Sequence, residues 1–332
     1  MQPIREIQEL DKAILEDITK LGEPVKIKGL VNKWPSINSA KESDQSIVRY
    51  CKKFDHSQLV DILIIPPEYE GEVFYNSEMS GFNFEHRKAP LTALLDQILL
   101  TDNKNYLAAQ SAPIPECLPG FEKENHLQAL AENVTPRIWI GNKITVPTHY
   151  DDSHNLACVV SGKRRFTLFP PEQIHNLYIG PLDFAPTGAA ISMVNLRKPD
   201  LAKYPKFQTA LDVAQFADLE PGDAIYIPPL WWHHVESLCN FNILVNYWWG
   251  GSIALDSKIK SPYDCLLHGL LNIKHLPYAQ RKAWKEFFDY YVFRLDGNNH
   301  KHIPENRLGV LGELKESKKH NIRKWLISQL KD

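Results

Sequence analysis

The chain has 332 residues, 38 Lys plus Arg against 40 Asp plus Glu, and 43% hydrophobic residues, for a formal net charge of −2. A chain this apolar can bury a core, which excludes a disordered protein, and its charge balance excludes a protein that grips nucleic acid through a broad basic surface. Five scattered cysteines (Cys51, Cys117, Cys158, Cys239, Cys265) form no close pair, so neither a disulfide framework nor a zinc ribbon is expected, and a reducing compartment fits.

The N-terminal MQPIREIQELDK mixes charges with apolar residues and offers no signal core, and no apolar run approaches about 18 residues, so a cytoplasmic protein without a membrane partner is expected. Ile7, Leu10, Ile14, Ile18 and Leu21 recur every three or four residues and predict a packing helix. VKIKGLV and LVDILIIPP read as short β-branched strands, SIVRYCKKF and PLTALLDQILL as helices, which makes residues 1–105 a mixed α/β region. Over 106–252 the texture changes to strands broken by Gly, Pro and Asn: RIWIGN, LACVVSG, RFTLFPP, DAIYIPP, HHVESL and FNILVNYWW. That pattern predicts a β-sandwich or barrel, and no Gly-rich phosphate loop follows a strand. In 253–332, Trp284, Phe287, Phe288, Tyr291 and Leu295 form one helical stripe and Ile322, Trp325, Leu326 and Leu330 another. Helices this apolar either pack on the barrel or pair with a second subunit, so a homodimer through them is one of two expected outcomes.

The segment TVPTHYDDSHN places His149 and Asp151 one residue apart, on the same face of an extended strand. By itself such a pair also fits a surface salt bridge or a turn. A second segment, PGDAIYIPPLWWHHVES, brings two histidines out among tryptophans, where a buried imidazole needs a partner. If one of them meets His149 and Asp151, the result is a two-histidine, one-carboxylate face with open positions, the pattern of a non-haem Fe(II) oxygenase; a closed structural zinc site would leave none open. Alternation sends His233 and His234 to opposite faces and does not say which points inward. His154 reads as a loop histidine.

A keto-acid cosubstrate would need a sheltered cation for its far carboxylate. In SGKRRFTLFPP, alternation puts Arg164 on the face of Phe166 and Leu168, while Lys163 and Arg165 share the other. Asn246 lies between Leu244 and Trp248 on one strand face, where a buried amide demands hydrogen-bond partners such as a bound carboxylate. Trp231, Trp232 and Trp248 are candidates for the dry wall of a site.

Taken in order, THYDDSHNLACVVSGKRRFTLFPP, LEPGDAIYIPPLWWHHVES and VNYWW resemble the JmjC-type, cupin-like 2-oxoglutarate dioxygenases, among them the asparaginyl hydroxylases that act on hypoxia-inducible factor. EPVKIKGLVNKWP resembles, more loosely, the opening strand and Trp-Pro of that family. The resemblance implies a mainly β protein with α: a double-stranded β-helix (jelly-roll, cupin) core flanked by an α/β N-terminal region and C-terminal helices. The family places its distal iron ligand directly after a tryptophan, which selects His233 after Trp232, so the implied Fe(II) ligands are His149, Asp151 and His233. Its cosubstrate lysine falls on Arg164, its asparagines on Asn155 and Asn246, and its tyrosine on Tyr106 in NYLAAQ. Its threonine three residues before the first ligand is Val146 here, with Thr145 or Thr148 at hand for the hydroxyl.

The Arg-Gln pair that the asparaginyl hydroxylases set before a serine is Ala190-Ile191 before Ser192, so asparagine is not the expected target. No added zinc-bearing or chromatin-reading module is recognisable, which turns the expectation from histone demethylation to hydroxylation of a protein side chain or a small metabolite, with 2-oxoglutarate cleaved to succinate and CO2. The competing reading is a cupin that binds metal without oxygen chemistry, as an isomerase, a hydrolase or a ligand sensor. It shares the triad but has no use for Arg164.

Overall fold

The computed structural model describes residues 1–100, 104–251, 262–295, 297 and 300–330. The chain divides into two compact units, residues 1–259 and 260–332. In the first, β1 (Gln2–Pro3) and β2 (Glu6–Ile7) precede helix α1 (Lys12–Leu21). The Asp11 side chain accepts from Ile14 N–H at the start of α1, and Gly22, at φ 66°, donates its N–H to Ile18 at the end, which satisfies backbone groups that a helix leaves open. Ile7 and Leu10, expected on that helix, precede it because the aspartate cap sets its start at Lys12, and Ile7 pairs in β2 instead. Next come β3 (Val25–Ile27), α2 (Pro35–Glu42), α3 (Asp44–Lys52), β4 (Leu59–Ile65), β5 (Glu85–Pro90) and α4 (Leu91–Leu99).

The remaining strands of this unit are β6 (Tyr106–Pro113), β7 (Pro136–Gly141), β8 (Thr145–His149), β9 (His154–Ser161), β10 (Arg164–Phe169), β11 (Gln215–Leu219), β12 (Ala224–Ile227), β13 (Trp232–Ser237) and β14 (Asn242–Trp249). They form a five-stranded sheet in the order β1-β11-β10-β13-β8 and a nine-stranded sheet in the order β2-β3-β12-β9-β14-β7-β6-β4-β5. The first hundred residues therefore contribute β2 to β5 to the larger sheet.

Period-two alternation divides the apolar residues between two cores. On β9, Leu156, Cys158 and Val160 pack with Leu15, Ile37, Ile47 and Leu94 of the helical layer, whereas Ala157 and Val159 pack with Phe166, Leu168 and Val235 of the opposing sheet and with Leu244 of the neighbouring strand. Each fully buried aliphatic side chain among these contributes about 1.5–3 kcal/mol of transfer free energy. Mostly antiparallel sheets closing over a shared core make this the jelly roll that the sequence leads one to expect: a mainly β cupin-like fold with flanking helices.

In the second unit, helices Pro262–Asn272, Tyr278–Phe288 and Glu316–Gln329 and the π-helical turn Asp289–Phe293 leave large side chains in solvent: Trp284, Phe287, Tyr291 and Trp325 are all exposed. Trp284, Phe287 and Tyr291 form a contiguous aromatic row, with ring centroids 5.7 and 6.0 Å apart. No helix among the described residues is long and apolar enough to cross a membrane.

Candidate metal centre

His149 ends β8, Asp151 follows in the adjoining loop, and His233 lies opposite His149 in the antiparallel β8–β13 pair. The pairing is irregular: Val146 faces Val235 and His149 faces His233, so Pro147 and Thr148 together oppose His234 alone. This is a β-bulge on the edge strand of the smaller sheet, a place where a proline, which has no N–H to give the ladder, is tolerated. The extra residue lets Val146 and His149, three positions apart, both face the space between the sheets. Trp232 packs on the outer side of the smaller sheet with Phe169 and Phe207, which turns His233 inward and His234 outward.

The three side chains converge: one ligand atom from each of His149, Asp151 and His233 lies within 4.8 Å of the others, His233 Nε2 is 3.6 Å from Asp151 Oδ2, and the imidazole centroids are 4.2 Å apart. Two ligands held about 2.1 Å from one ion stand about 3–4 Å apart, so a small divalent cation fits with minor adjustment. His149 Nδ1 lies 2.8 Å from the Pro147 carbonyl and His233 Nδ1 lies 3.0 Å from the Trp231 carbonyl. A carbonyl can only accept, so Nδ1 carries the proton in each neutral ring and Nε2 presents its lone pair. Burial, reinforced by His233, holds His149 well below the ordinary imidazole range, which keeps it neutral and ready to ligate. Burial raises the Asp151 carboxyl, opposed by His233 and the Trp248 N–H.

These residues line a cavity of about 50 Å3 together with Trp139, Asn155, Arg164, Asn246 and Trp248. Arg164 is only 7% exposed and, among the described residues, makes no ion pair or side-chain hydrogen bond and has a buried Nε without a partner. Loss of hydration brings its guanidinium down from the ordinary arginine range to about 10, so it remains a cation at neutral pH. A buried positive charge without an ion-pair partner among the described residues, beside two imidazoles and one carboxylate, suits a metal ion accompanied by an anionic ligand. On the larger sheet, Trp139 Nε1 donates to Asn246 Oδ1 at 2.8 Å, and Asn246 Nδ2 donates to Asn155 Oδ1 at 3.2 Å. Asn246 thus finds its partners within the protein, and the relay leaves the Asn155 NH2 as the free end.

The structure does not bring Tyr106 or Thr148 to this cavity. Tyr106 lines a neighbouring space of about 420 Å3 with Thr145, Glu236 and Ser237. Thr148, displaced by the bulge, is buried with its hydroxyl unpartnered. Of the three tryptophans expected as a wall, Trp248 lines the cavity, whereas Trp231 donates its indole N–H to the Gly22 carbonyl and Trp232 faces outward. His154 lies at the start of β9, with Nδ1 2.8 Å from the Tyr226 hydroxyl and its ring stacked on Trp249. Trp139 was not singled out from the sequence; its flanking Ile138 and Ile140, which pack on the helical side, were the signal that it points inward.

A family model described as a cupin-like domain matches residues 11–254. JmjC domain-containing protein D of Dictyostelium discoideum is 30% identical over 239 residues, covering 65% of this chain and 49% of its own length. Lysine-specific demethylase JMJ31 of Arabidopsis thaliana is 40% identical over 102 residues, 31% of this chain and 18% of its own length. Human tRNA wybutosine-synthesizing protein 5 is also 40% identical over 102 residues, 31% of this chain and 29% of its own length. The matched segments span about half or less of these relatives. With the family model covering most of the chain, including every residue of the converging triad, the protein belongs to the cupin-like domain family of the JmjC type.

Proposed function

We propose that the chain is an Fe(II)- and 2-oxoglutarate-dependent oxygenase that hydroxylates a protein side chain or a small metabolite. The observation that carries this reading is the buried, unpaired Arg164 on the wall of the cavity that also holds His149, Asp151 and His233. A metal-binding cupin without a cosubstrate would bear the cost of burying that cation for no return. Family members of the JmjC type generally use Fe(II) with 2-oxoglutarate, and the two together supply oxidising power that no side chain has.

The protein's own residues hold and shield. His149, Asp151 and His233 take the metal on one face and leave the other to ligands. Arg164 pairs with the far carboxylate of the cosubstrate, and the Asn155 NH2, fixed by Asn246 and Trp139, donates to a cosubstrate oxygen. Trp139 and Trp248, with rings 6.0 Å apart edge to face, exclude water from the cavity. Tyr106 serves the outer end of the Arg164 side, through the space it shares with Ser237.

Purified protein given Fe(II), 2-oxoglutarate and oxygen should form succinate slowly, and Asp151→Ala should abolish it. Absence of cosubstrate binding at about 1 mM, the upper end of ordinary substrate affinities, would refute the assignment. The reaction class follows from a mass screen of peptides and metabolites for one added oxygen, with Asp151→Ala as the blank.

The five free cysteines support a reducing, cytoplasmic setting. The aromatic row of the C-terminal helices supports self-association into a homodimer, read by light scattering of wild type against Trp284→Glu.

A further inference from the structure

Gln110 stands on β6, whose pairing with β7 slips: Ala109 faces Ile140 and Ala112 faces Ile138, so β6 carries one extra residue at Gln110–Ser111. Ser111 adopts a left-handed backbone at φ 55°, costly for a residue other than glycine, and Arg137 Nη1 secures it by donating to the Ser111 carbonyl at 2.9 Å. Bulges of this kind re-aim a side chain. Here the Gln110 amide reaches a small void of about 20 Å3 that it shares with Arg164 and Ser237, and Trp139, Val146 and Arg164 are common to this void and the metal cavity.

Two buried donors line that void, and neither Gln110 Nε2 nor Arg164 Nε has a hydrogen-bond partner among the described residues. The Trp139 N–H is already committed to Asn246, and Val146 offers neither donor nor acceptor. Orphaned donors in pairs cost free energy unless something that only accepts arrives between them. An ionised carboxylate is such a group, with about four lone-pair positions and no proton to give.

We propose that Gln110 is a specificity-determining residue of the cosubstrate site, its side-chain NH2 taking, together with Arg164, the far carboxylate of a 2-oxo dicarboxylate. This rests on the oxygenase reading above. Arg164 supplies charge, and Gln110 supplies a directional neutral donor where Val146 supplies none. A site built around a hydrogen-bonded group discriminates steeply against an analogue without it. Gln110 then separates dicarboxylic from monocarboxylic keto acids while leaving the metal untouched.

The test uses the whole chain loaded with Mn(II) and measures calorimetric binding of 2-oxoglutarate and of 2-oxobutyrate, which keeps the keto acid head and lacks the far carboxylate. Gln110→Met should weaken 2-oxoglutarate by about 10-fold or more, the range for a hydrogen bond to a charged group, with Mn(II) and 2-oxobutyrate affinities within about 2-fold of wild type. Unchanged 2-oxoglutarate binding, as expected if the void holds only a water, overturns the proposal; so does an equal loss for both keto acids, which would mark a merely structural role. Gln110→Glu provides a second reading should the methionine variant fold poorly: its carboxylate pairs with Arg164, so 2-oxoglutarate binding should be lost while Mn(II) binding and thermal stability are kept. Retained 2-oxoglutarate affinity in that variant overturns the proposal as well. If wild type binds Mn(II) but not 2-oxoglutarate, the oxygenase reading itself fails, an outcome distinct from a wild type that binds and a Gln110→Met that binds equally.

Discussion

Replacing Arg164 by methionine should make the ligand-free protein more stable and at the same time blind to the proposed cosubstrate, 2-oxoglutarate. The guanidinium loses enough hydration for its pKa to fall well below the ordinary arginine value, to about 10, a difference equivalent to roughly 3 kcal/mol. Because the folded value is the lower one, this cost is present in full at every pH below about 10 and is relieved only as pH rises beyond it. No group among the described residues offsets it, since there Arg164 forms no ion pair and its Nε has no hydrogen-bond partner. Methionine keeps most of the stem that packs beside Phe166 and discards the charge, so up to about 3 kcal/mol returns, or a rise in Tm of roughly 4–10 °C for a protein of this size. Wild type, in contrast, should gain about 2.7 kcal/mol from 2-oxoglutarate at a hundred times its Kd in the presence of a redox-inert metal, and the variant should gain none. Differential scanning fluorimetry of both proteins, with and without metal and cosubstrate, reads the two effects in one plate. A lower Tm for Arg164→Met, or a cosubstrate-induced shift that survives the substitution, would refute the idea that this cation is buried for an anion.

Three further outcomes follow from the same geometry. Asp151→Ala removes the only carboxylate of the triad, and metal affinity measured by calorimetry should fall by more than about 100-fold, beyond what loss of an orienting residue costs; a smaller change would place the ion elsewhere. Trp139→Phe deletes the N–H that holds the Asn246 oxygen at 2.8 Å, and cosubstrate affinity should weaken several-fold, in keeping with about 1 kcal/mol for a neutral hydrogen bond, with metal affinity unaltered. Burial lowers the His154 pKa, and the neutral ring shares a hydrogen bond with the Tyr226 hydroxyl, which burial keeps protonated. A depressed folded pKa means the unfolded chain takes the proton first, so stability is complete above about pH 6.5 and is lost as pH falls. Between pH 7 and 5 wild type should therefore lose up to about 1 kcal/mol more than His154→Phe in urea unfolding, a figure reduced for partial exposure, and parallel pH profiles would contradict it.

The jelly roll was legible because β-branched residues, alternation and Gly/Pro punctuation agree over residues 106–252. The grouping of His149, Asp151 and His233 was legible for another reason: few residue types bind metal, and these sit beside strand ends. Alternation alone left His233 and His234 equivalent, and what distinguishes them is tertiary, the seat that Phe169 and Phe207 provide for Trp232. Hidden from the sequence was the edge strand β5, whose EHRKAP carries no apolar alternation and is held by pairing with β4. Hidden as well was the self-sufficiency of Asn246, since its partner Trp139 lies 107 positions away.

The two bulges explain why local pattern reading fails at this site in particular. A regular β8 would have put Val146 and Thr148 on one face and His149 on the other, yet the cavity holds Val146 with His149, and Pro147 is the residue that makes the slip cheap. On β6, an extra residue at Gln110–Ser111 breaks a second register beside the same cavity. In a strict ladder, the side chains reaching the centre of a small barrel are fixed by parity, and most such positions are needed for core apolar groups. Adding one residue to each of two strands admits His149 and Gln110 without removing Phe166, Leu168 or Leu244 from the core. His149 and Gln110 thus enter the jelly roll at its irregularities, and deleting the extra residue of β8 should restore parity and abolish metal binding while leaving the apolar core between the sheets intact.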